Sequence, residues 1–226
     1  MAPVNVLDRA ALENLARLIA DAGAARVLVL SGLPRAFSAG VAVEDHVPDP
    51  PAIEAMLSAM RAVLEALVLT PAATVASVSG ACLGGGAEIA AACDFVLAAE
   101  DARIGFPEIR LACFPPGAAA LLPVRIGEAR AADWILTGRV LSGREAAQAG
   151  FASRCCPAPA LTAETDRLAG ELASRSPAAL SAAIGILRGP RREALARVLP
   201  RAEAAYRGLA GSVDLAKAVE GFGKKQ

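Results

Sequence analysis

Three consecutive glycines, Gly84–Gly86, lie between two apolar stretches of different character. The stretch before them, TVASVSG (residues 74–80), reads as a buried strand, and the alanine-rich stretch after them favours a helix. A strand, a glycine turn and a helix in this order indicate an α/β protein. The helix carries one glutamate, Glu88, in its first turn. Either the backbone at the glycines approaches a ligand, or the glycines only end the strand and Glu88 stabilises the helix N-terminus.

Composition narrows the class of protein. The 226 residues suffice for one large domain, with 55% hydrophobic and 4% aromatic residues. Lys+Arg and Asp+Glu both number 23, so we expect neither a nucleic acid nor an anionic membrane as partner. Charges or prolines interrupt every apolar run before bilayer length, and Met1 is followed by no secretory signal pattern, so we expect a cytoplasmic protein. The five cysteines form neither a disulfide framework nor a CxxC pair, so we expect reduced thiols and no metal.

The spacing of apolar residues predicts helices at 8–22 and 53–69 and short strands at 26–32, 74–80, 94–100 and 102–108. Asp8 is the predicted N-cap of the first helix. The stretch LPRAFSAGVAVEDH (33–46) is predicted as a loop, and from about Gly117 onward only helices are predicted. A doubly wound sheet needs the same elements, so their order alone does not decide the topology.

The glycine loop does not read as a phosphate site. LGGGAE (83–88) matches neither GxxxxGK[ST] nor GxGxxG, and no lysine follows it. The free N–H groups at a helix start suit a carbonyl oxygen that becomes negative during a reaction. The stretch AFSAGVAVEDH (36–46) places Gly40 in a loop just after a strand, where the backbone offers a second donor.

Two glutamates, Glu88 and Glu108, are candidates for proton transfer, since paired carboxylates commonly move protons on carbon and water. Each alone has an ordinary explanation. Glu88 is favoured by the helix dipole, and Glu108 reads equally well as an exposed or ion-paired side chain close to arginines. His46, the only histidine, lies in an acidic loop, and we expect it to be an ordinary surface residue.

Three segments taken together are a more specific signal of protein family than any of these residues alone. AFSAGVAVEDH (36–46), VSGACLGGGAEIAAACDFVLAAEDARIGFPEIRLACFPPGAAALLP (78–123) and ADWILTGRVLSGREAAQAGFASR (132–154) resemble, in order and spacing, the enoyl-CoA hydratase/isomerase (crotonase) superfamily. The likeness covers residues 3–155, and the segments are most similar to those of cyclohexa-1,5-diene-1-carbonyl-CoA hydratases. It implies an α/β spiral of β-β-α turns over residues 1–158, and a C-terminal helical region, residues 159–226, that forms a homotrimer or a hexamer.

The resemblance also implies roles for individual residues. The backbone N–H groups of Val41 and Gly85 would form an oxyanion hole for the carbonyl of an acyl-CoA thioester. Glu88 would activate or orient the water that attacks C3, and Glu108 would protonate C2. The segment from Arg35 to Ala39 would wrap the CoA moiety, with Arg35 near a phosphate. The substrate-binding positions implied in this way are Arg35, Ala36, Ser38, Ala39, Gly40 and Gly84.

The implied reaction is hydration of an enoyl-CoA or a cyclic dienoyl-CoA, because both glutamates are present. The resemblance implies no metal or redox cofactor. An enoyl-CoA isomerase and a non-catalytic acyl-CoA-binding subunit remain alternatives. The sequence departs from the family pattern at Ala42, where Asp is common, and in FPPGAAALLP (114–123). The family's preceding strand pair is not found before PVNVLDRAAL, so an exposed edge strand is expected. We expect the predicted helix at 53–69 and the surroundings of Phe114 and Trp134 to shape the acyl pocket.

Overall fold

The computed structural model describes residues 5–33, 35–42, 49–209 and 212–223, so His46 and its acidic neighbours lie outside the described residues. The strands are β1 Val6–Leu7, β2 Val27–Ser31, β3 Ala36–Ser38, β4 Gly40–Val41, β5 Ala73–Val78, β6 Ala81–Leu83, β7 Phe95–Ala99, β8 Arg103–Gly105, β9 Val140–Ser142 and β10 Arg154–Cys156. The helices are α1 Arg9–Asp21, α2 Pro50–Leu69, α3 Gly85–Ala92, α4 Pro116–Ile126, α5 Glu128–Thr137, α6 Gly143–Gln148, α7 Leu161–Ala173, α8 Pro177–Leu187, α9 Gly189–Arg197, α10 Leu199–Leu209 and α11 Val213–Gly223. Short 3₁₀ helices span Pro107–Leu111 and Ala158–Ala160.

Two four-stranded sheets organise the described residues. One has the order β10-β7-β5-β2 and is wholly parallel. The other has the order β3-β6-β8-β9, in which only β9 is antiparallel. Each of the pairs β5–β6 and β7–β8 sends one strand to each sheet before the chain continues into helices. This repeated β-β-α turn is the predicted crotonase-like spiral, and it is confirmed.

Several local predictions are confirmed. Asp8 caps α1, since its Oδ1 accepts a hydrogen bond from Ala11 N at 2.7 Å. The predicted helix at 53–69 and the four predicted strands are present with boundaries shifted by a few residues. Strands β2 and β10 are the edges of their sheet, and Val29 of β2 is 44% exposed; whether a missing strand pair leaves this edge open stays a prediction.

Two predictions about secondary structure are wrong. The stretch 33–46 contains strands β3 and β4, and residues after Gly117 contain strands β9 and β10. All four strands have only two or three residues, too few to show an alternating pattern. They are strands because neighbours hold them: β9 pairs with β8, and β10 pairs with β7. Tertiary pairing therefore overrides a weak local signal.

The C-terminal helices are anchored on the sheet part by a buried ionic cluster. Arg188, fully buried after α8, donates to the carbonyl oxygen of Ala72 at 2.7 Å and to Asp94 Oδ1 at 2.8 Å. Arg191 Nη2 donates to the same oxygen, Asp94 Oδ1, at 2.6 Å. The two guanidinium groups keep the pKa of Asp94 low although burial of the carboxyl opposes this. This cluster holds α9, and the following α10, against α2 and α4.

Candidate active site

A cavity of about 180 Å³ lies where the glycine turn, the 3₁₀ helix at Pro107–Leu111 and helices α2 and α10 meet. It brings together residues from three separate segments of the sequence: Val41, the neighbouring Gly85 and Glu88, and Glu108. Its apolar wall consists of Met56, Leu57, Met60, Leu64, Leu83, Leu111, Phe114 and Leu199. A pocket that is mostly apolar with a few converging polar groups is the usual form of a small-molecule site.

Two backbone N–H groups border this cavity side by side. Ala42 N donates to the carbonyl oxygen of Leu7 in β1 at 3.1 Å. Successive N–H groups of a strand point to opposite sides, so the N–H of Val41 points away from β1. Gly85 is the first residue of α3, and its N–H has no acceptor within the helix. A Cβ built on Gly85 would lie 3.6 Å from Val41 N, so both donors reach the same small volume.

The glycines at this turn are required by space and by backbone conformation. Gly84 has φ +52°, and a Cβ there would lie 2.7 Å from Oε1 of Glu108. A Cβ at Gly85 would lie 2.7 Å from both Met60 Cε and Val41 Cγ2. Larger residues would therefore fill the space between the two N–H groups or push the glutamate away. Of the two explanations for the glycine triplet, close approach of the backbone to a ligand fits this geometry.

Glu88 is buried at 4% exposure in the first turn of α3. Its Oε1 accepts a hydrogen bond from Ala118 N, at the start of α4, at 2.8 Å. Burial raises the pKa of Glu88 to about 7, and the backbone donors of Gly117 and Ala118 act in the opposite direction. A carboxyl group with such a pKa changes protonation near neutral pH and suits general acid–base chemistry.

Glu108 lies in the first turn of the 3₁₀ helix, and it is only partly exposed. Its Oε2 is buried and has no hydrogen-bond partner among the described residues. Burial, followed by repulsion from Glu88, raises the pKa of Glu108 to about 8. An unsatisfied buried carboxyl oxygen facing a cavity is costly in a folded protein, and it is the kind of group that a substrate or water satisfies.

Comparison with known proteins identifies the family to which this chain belongs. The sequence model of the enoyl-CoA hydratase/isomerase family matches residues 2–225. The chain belongs to the enoyl-CoA hydratase/isomerase family. Cyclohexa-1,5-dienecarbonyl-CoA hydratase of Thauera aromatica is 36% identical over 150 residues, which are 65% of this chain but only 57% of that enzyme. An enoyl-CoA isomerase/hydratase of Mycosarcoma maydis is 35% identical over 206 residues, 89% of this chain and 74% of that protein.

Solved structures of the family show the same fold. The crystal structure of an enoyl-CoA hydratase from Bacillus anthracis superposes with a TM-score of 0.78 at 29% identity. The match covers 98% of this chain and 88% of that chain. The resemblance inferred from the sequence motifs is therefore confirmed for the family and for the fold.

The positions implied for substrate binding in this family member separate into two groups. Ala39, Gly40 and Gly84 line the cavity. Arg35 is exposed outside it, whereas Ala36 and Ser38 are buried in β3. Ser38 has a structural contact, since its Oγ donates to Asn5 O at 2.9 Å and accepts from Gly40 N at 3.1 Å. The roles of all six positions in binding CoA remain predictions.

The prediction of which residues shape the acyl pocket is right in part. Helix α2 and Phe114 line the cavity, but Trp134 does not. Trp134 is buried in the core, where its ring contacts Phe106 and Phe151 at centroid distances of 5.6 and 5.3 Å. In an alanine-rich chain a large aromatic side chain fills volume in the core. The sequence alone does not show whether Trp134 lies in the core or in the pocket wall.

Sequence reasoning missed the contribution of α10 to the cavity. Glu203 and Tyr206 of this helix line it together with Arg61 of α2, and both residues of α10 are almost completely buried. In the sequence, Glu203 is one of several charged residues of this helix, and only the structure shows that it is buried. No signal in the sequence shows which element it faces, because Arg61 and Glu203 are 142 positions apart.

No helix among the described residues is both long enough and apolar enough to span a membrane.

Proposed function

We propose that this chain adds water to the α,β double bond of an enoyl-CoA thioester. The observation that carries this proposal is the placement of two glutamates with different raised pKa values beside two backbone donors in one cavity. A hydratase needs one group to take a proton from water and another to give a proton to carbon. It also needs donors for the oxygen that becomes negative in between.

The reaction follows from these positions. The thioester carbonyl oxygen accepts hydrogen bonds from Val41 N and Gly85 N. Ionised Glu88 takes a proton from water while the water oxygen bonds to C3, and the electrons of the C2–C3 double bond move onto C2 and the carbonyl oxygen as an enolate. Protonated Glu108 then gives its proton to C2. Each turnover leaves Glu88 protonated and Glu108 ionised, and proton exchange with solvent returns both carboxyl groups to their starting states. No atom changes its overall oxidation state by an external oxidant or reductant, and we propose no metal or redox cofactor.

The acyl group is proposed to be compact. A cavity of about 150 Å³ is known to hold a benzene molecule, so the cavity of about 180 Å³ has room for a six-membered ring. The name of the Thauera relative supports a cyclic dienoyl-CoA, and a short linear enoyl-CoA is the second candidate. Purified enzyme should be offered crotonyl-CoA and cyclohexa-1,5-diene-1-carbonyl-CoA in parallel, and loss of the conjugated thioester followed by absorbance.

Labelled water tests the reaction type. A hydratase incorporates one ¹⁸O from solvent at C3 of the product, which mass spectrometry detects. An isomerase would shift the double bond with no oxygen gained, and this is the runner-up reaction. Binding of acyl-CoA without turnover of any enoyl substrate would instead favour a binding subunit. Either result would refute the proposed hydration.

The pH dependence of hydration is a specific prediction. The rate constant kcat/KM should rise as Glu88 ionises near its pKa of about 7, and should fall as Glu108 loses its proton near its pKa of about 8. The two groups interact, so the two limbs of the bell-shaped profile belong to the pair. Rates from about pH 5.5 to pH 9.5 with one enoyl-CoA would show it. A profile that stays flat across the neutral range would contradict the assignment.

We propose that the chain assembles into a homotrimer or a hexamer. Helix α8 carries no charged residue, yet Ile186 and Leu187 at its end are 81% and 73% exposed. Exposed apolar surface of this kind marks an interface. Sedimentation velocity should give three or six times the 22.9 kDa of one chain.

Charge on this surface should weaken the assembly. Ile186→Glu combined with Leu187→Glu is expected to lower the sedimenting mass, because each carboxylate would have to be desolvated in the interface. Leu136→Glu, at a 68% exposed position on α5, is the control. A wild-type protein that sediments as one chain at every concentration would overturn the proposal.

A further inference from the structure

An ion pair forms part of the wall of the mostly apolar cavity. Arg61 Nε of α2 donates to Glu203 Oε1 of α10 at 3.0 Å, and Arg61 Nη2 contacts Glu203 Oε2. The Glu203 side chain is 1% exposed, whereas the Arg61 side chain is 35% exposed. The carboxylate is therefore enclosed, and the guanidinium is the more exposed member of the pair, on a side chain that lines the cavity.

This pair lines the same cavity as Glu88, the group proposed to act at C3. A Cβ built on Gly117 would lie 2.9 Å from Glu88 Oε1 and 2.7 Å from Leu64 Cδ1, so Leu64 is directly behind the catalytic carboxyl group. Arg61 precedes Leu64 by three positions on α2 and thus lies on the same helix face. Leu199 of α10, one turn before Glu203, also lines the cavity. In the proposed mechanism C3 lies beside Glu88, so the part of an acyl group beyond C3 is placed toward this wall of the cavity.

Arg61 retains donors that the ion pair does not use. Its Nη1 makes no hydrogen bond to the described residues, while Nε and Nη2 are directed to Glu203. A guanidinium has five N–H donors in a fixed plane, and its pairing with Glu203 fixes where the remaining donors point. We propose that Arg61, positioned by Glu203, selects acyl-CoA substrates that carry an uncharged acceptor oxygen, an oxo or hydroxyl group, beyond C3. This inference rests on the proposed binding of acyl-CoA.

The charges around Arg61 favour a neutral oxygen over a carboxylate. Glu203 already neutralises Arg61, and Arg207, whose Nη2 lies 3.8 Å from Glu203 Oε2, is itself paired with Glu54 at 3.1 Å. Glu88 and Glu108 face the same cavity. An anionic acyl group would have to displace Glu203 or stay close to three acidic side chains, whereas a neutral oxygen accepts a hydrogen bond without either cost.

Binding of saturated acyl-CoA probes tests the inference without turnover. 5-Oxohexanoyl-CoA, 5-methylhexanoyl-CoA and glutaryl-CoA place an oxo group, a methyl group and a carboxylate at the same branch, and a second set with the branch at C4 covers a shorter reach. By titration calorimetry the oxo compound of the better-fitting set should bind roughly tenfold or more tighter than its methyl counterpart, as expected for a hydrogen bond to a charged donor. The carboxylate compound should not exceed the oxo compound.

A double variant separates recognition from folding. Arg61→Met with Glu203→Leu removes both charges, so no buried carboxylate is left unpaired. It should bind the oxo and methyl compounds equally, with the methyl compound binding as well as it does to wild type. Arg144→Met with Glu100→Leu is the control, because this ion pair also joins two distant segments and neither residue lines the cavity. The control should retain the wild-type preference.

Specific results would overturn the inference. Equal binding of the oxo and methyl compounds to wild type in both sets would refute it, and so would tightest binding of glutaryl-CoA. An equal loss of affinity for CoA without an acyl group in the double variant would place Arg61 at the CoA end instead. Failure of every acyl-CoA to bind would refute the proposed function itself, which is a different outcome.

Discussion

Glu108→Gln should lower the hydration rate by about 10²-fold or more, and Glu88→Gln should do the same, as expected for the loss of an acid–base group. Each glutamine keeps the shape of the carboxyl group but cannot exchange a proton near neutral pH. The reduction should appear in kcat and in kcat/KM alike, because the lost interaction belongs to the transition state. Wild-type rates in both variants with every enoyl-CoA tested would exclude the two-glutamate mechanism.

The same variants should fold at least as well as wild type. The pKa of each carboxyl is raised in the folded protein, to about 7 for Glu88 and about 8 for Glu108. The unfolded chain therefore releases these protons at lower pH, and wild type loses stability as pH rises from about 4.5 through the folded pKa values. Glutamine removes this dependence. Urea unfolding at about pH 8.5 should show Glu108→Gln more stable than wild type, whereas near pH 4 the difference should vanish.

The combination of a rate loss and a gain in stability identifies a functional group. A glutamate that only capped a helix or paired with an arginine would show the opposite, since its removal would destabilise the fold and leave turnover per folded molecule unchanged. For Glu88 the pattern therefore decides between the two explanations that the sequence left open. For Glu108 it also tests the observation that Oε2 lacks a partner among the described residues.

The parts of this site that sequence analysis reached are those with local signals. Asp8 caps α1 because a cap depends on residues three positions away, and the Gly84–Gly86 turn is visible because backbone conformation restricts residue type. The convergence of Glu88 with Glu108 came from resemblance to a family. Spacing alone left both residues with ordinary explanations.

The parts that sequence analysis missed depend on contacts between distant segments. Strand β10 exists because β7 pairs with it, and its residues Arg154–Cys156 carry no alternation of their own. Arg188 is fully buried only because Asp94 and two carbonyl groups receive its donors, and a lone arginine near a helix end reads as exposed. Arg61 and Glu203 meet for the same reason. An ion pair between residues far apart in the chain produces no periodic pattern in a single sequence.

Replacing Gly85 by alanine tests the oxyanion hole directly. The added Cβ would lie 2.7 Å from Val41 Cγ2 and from Met60 Cε, so these side chains would have to shift, and it would occupy the space beside Val41 N where the carbonyl oxygen is proposed to bind. Gly85 does not have positive φ, so alanine introduces no backbone strain of its own. Alanine keeps its N–H, but an oxygen that the Cβ pushes out of reach loses this hydrogen bond, and one such donor is worth about 2.7–4 kcal/mol of transition-state stabilisation. We therefore expect a folded protein with turnover lowered on the order of 10²–10³-fold.

The control for this variant is Gly105→Ala. Its Cβ would lie 2.7 Å from the carbonyl oxygen of Arg139, and Gly105 does not line the cavity. Crowding in a packed region costs about 1–3 kcal/mol of stability, and Gly105→Ala should lose more than Gly85→Ala because its neighbour is a backbone atom, whereas side-chain ends face Gly85. If Gly85 only ends a strand, both variants should lose stability and keep normal turnover per folded molecule. If its N–H holds the thioester oxygen, turnover should fall in Gly85→Ala alone, and thermal melts and rates measured on the same preparations separate the two outcomes.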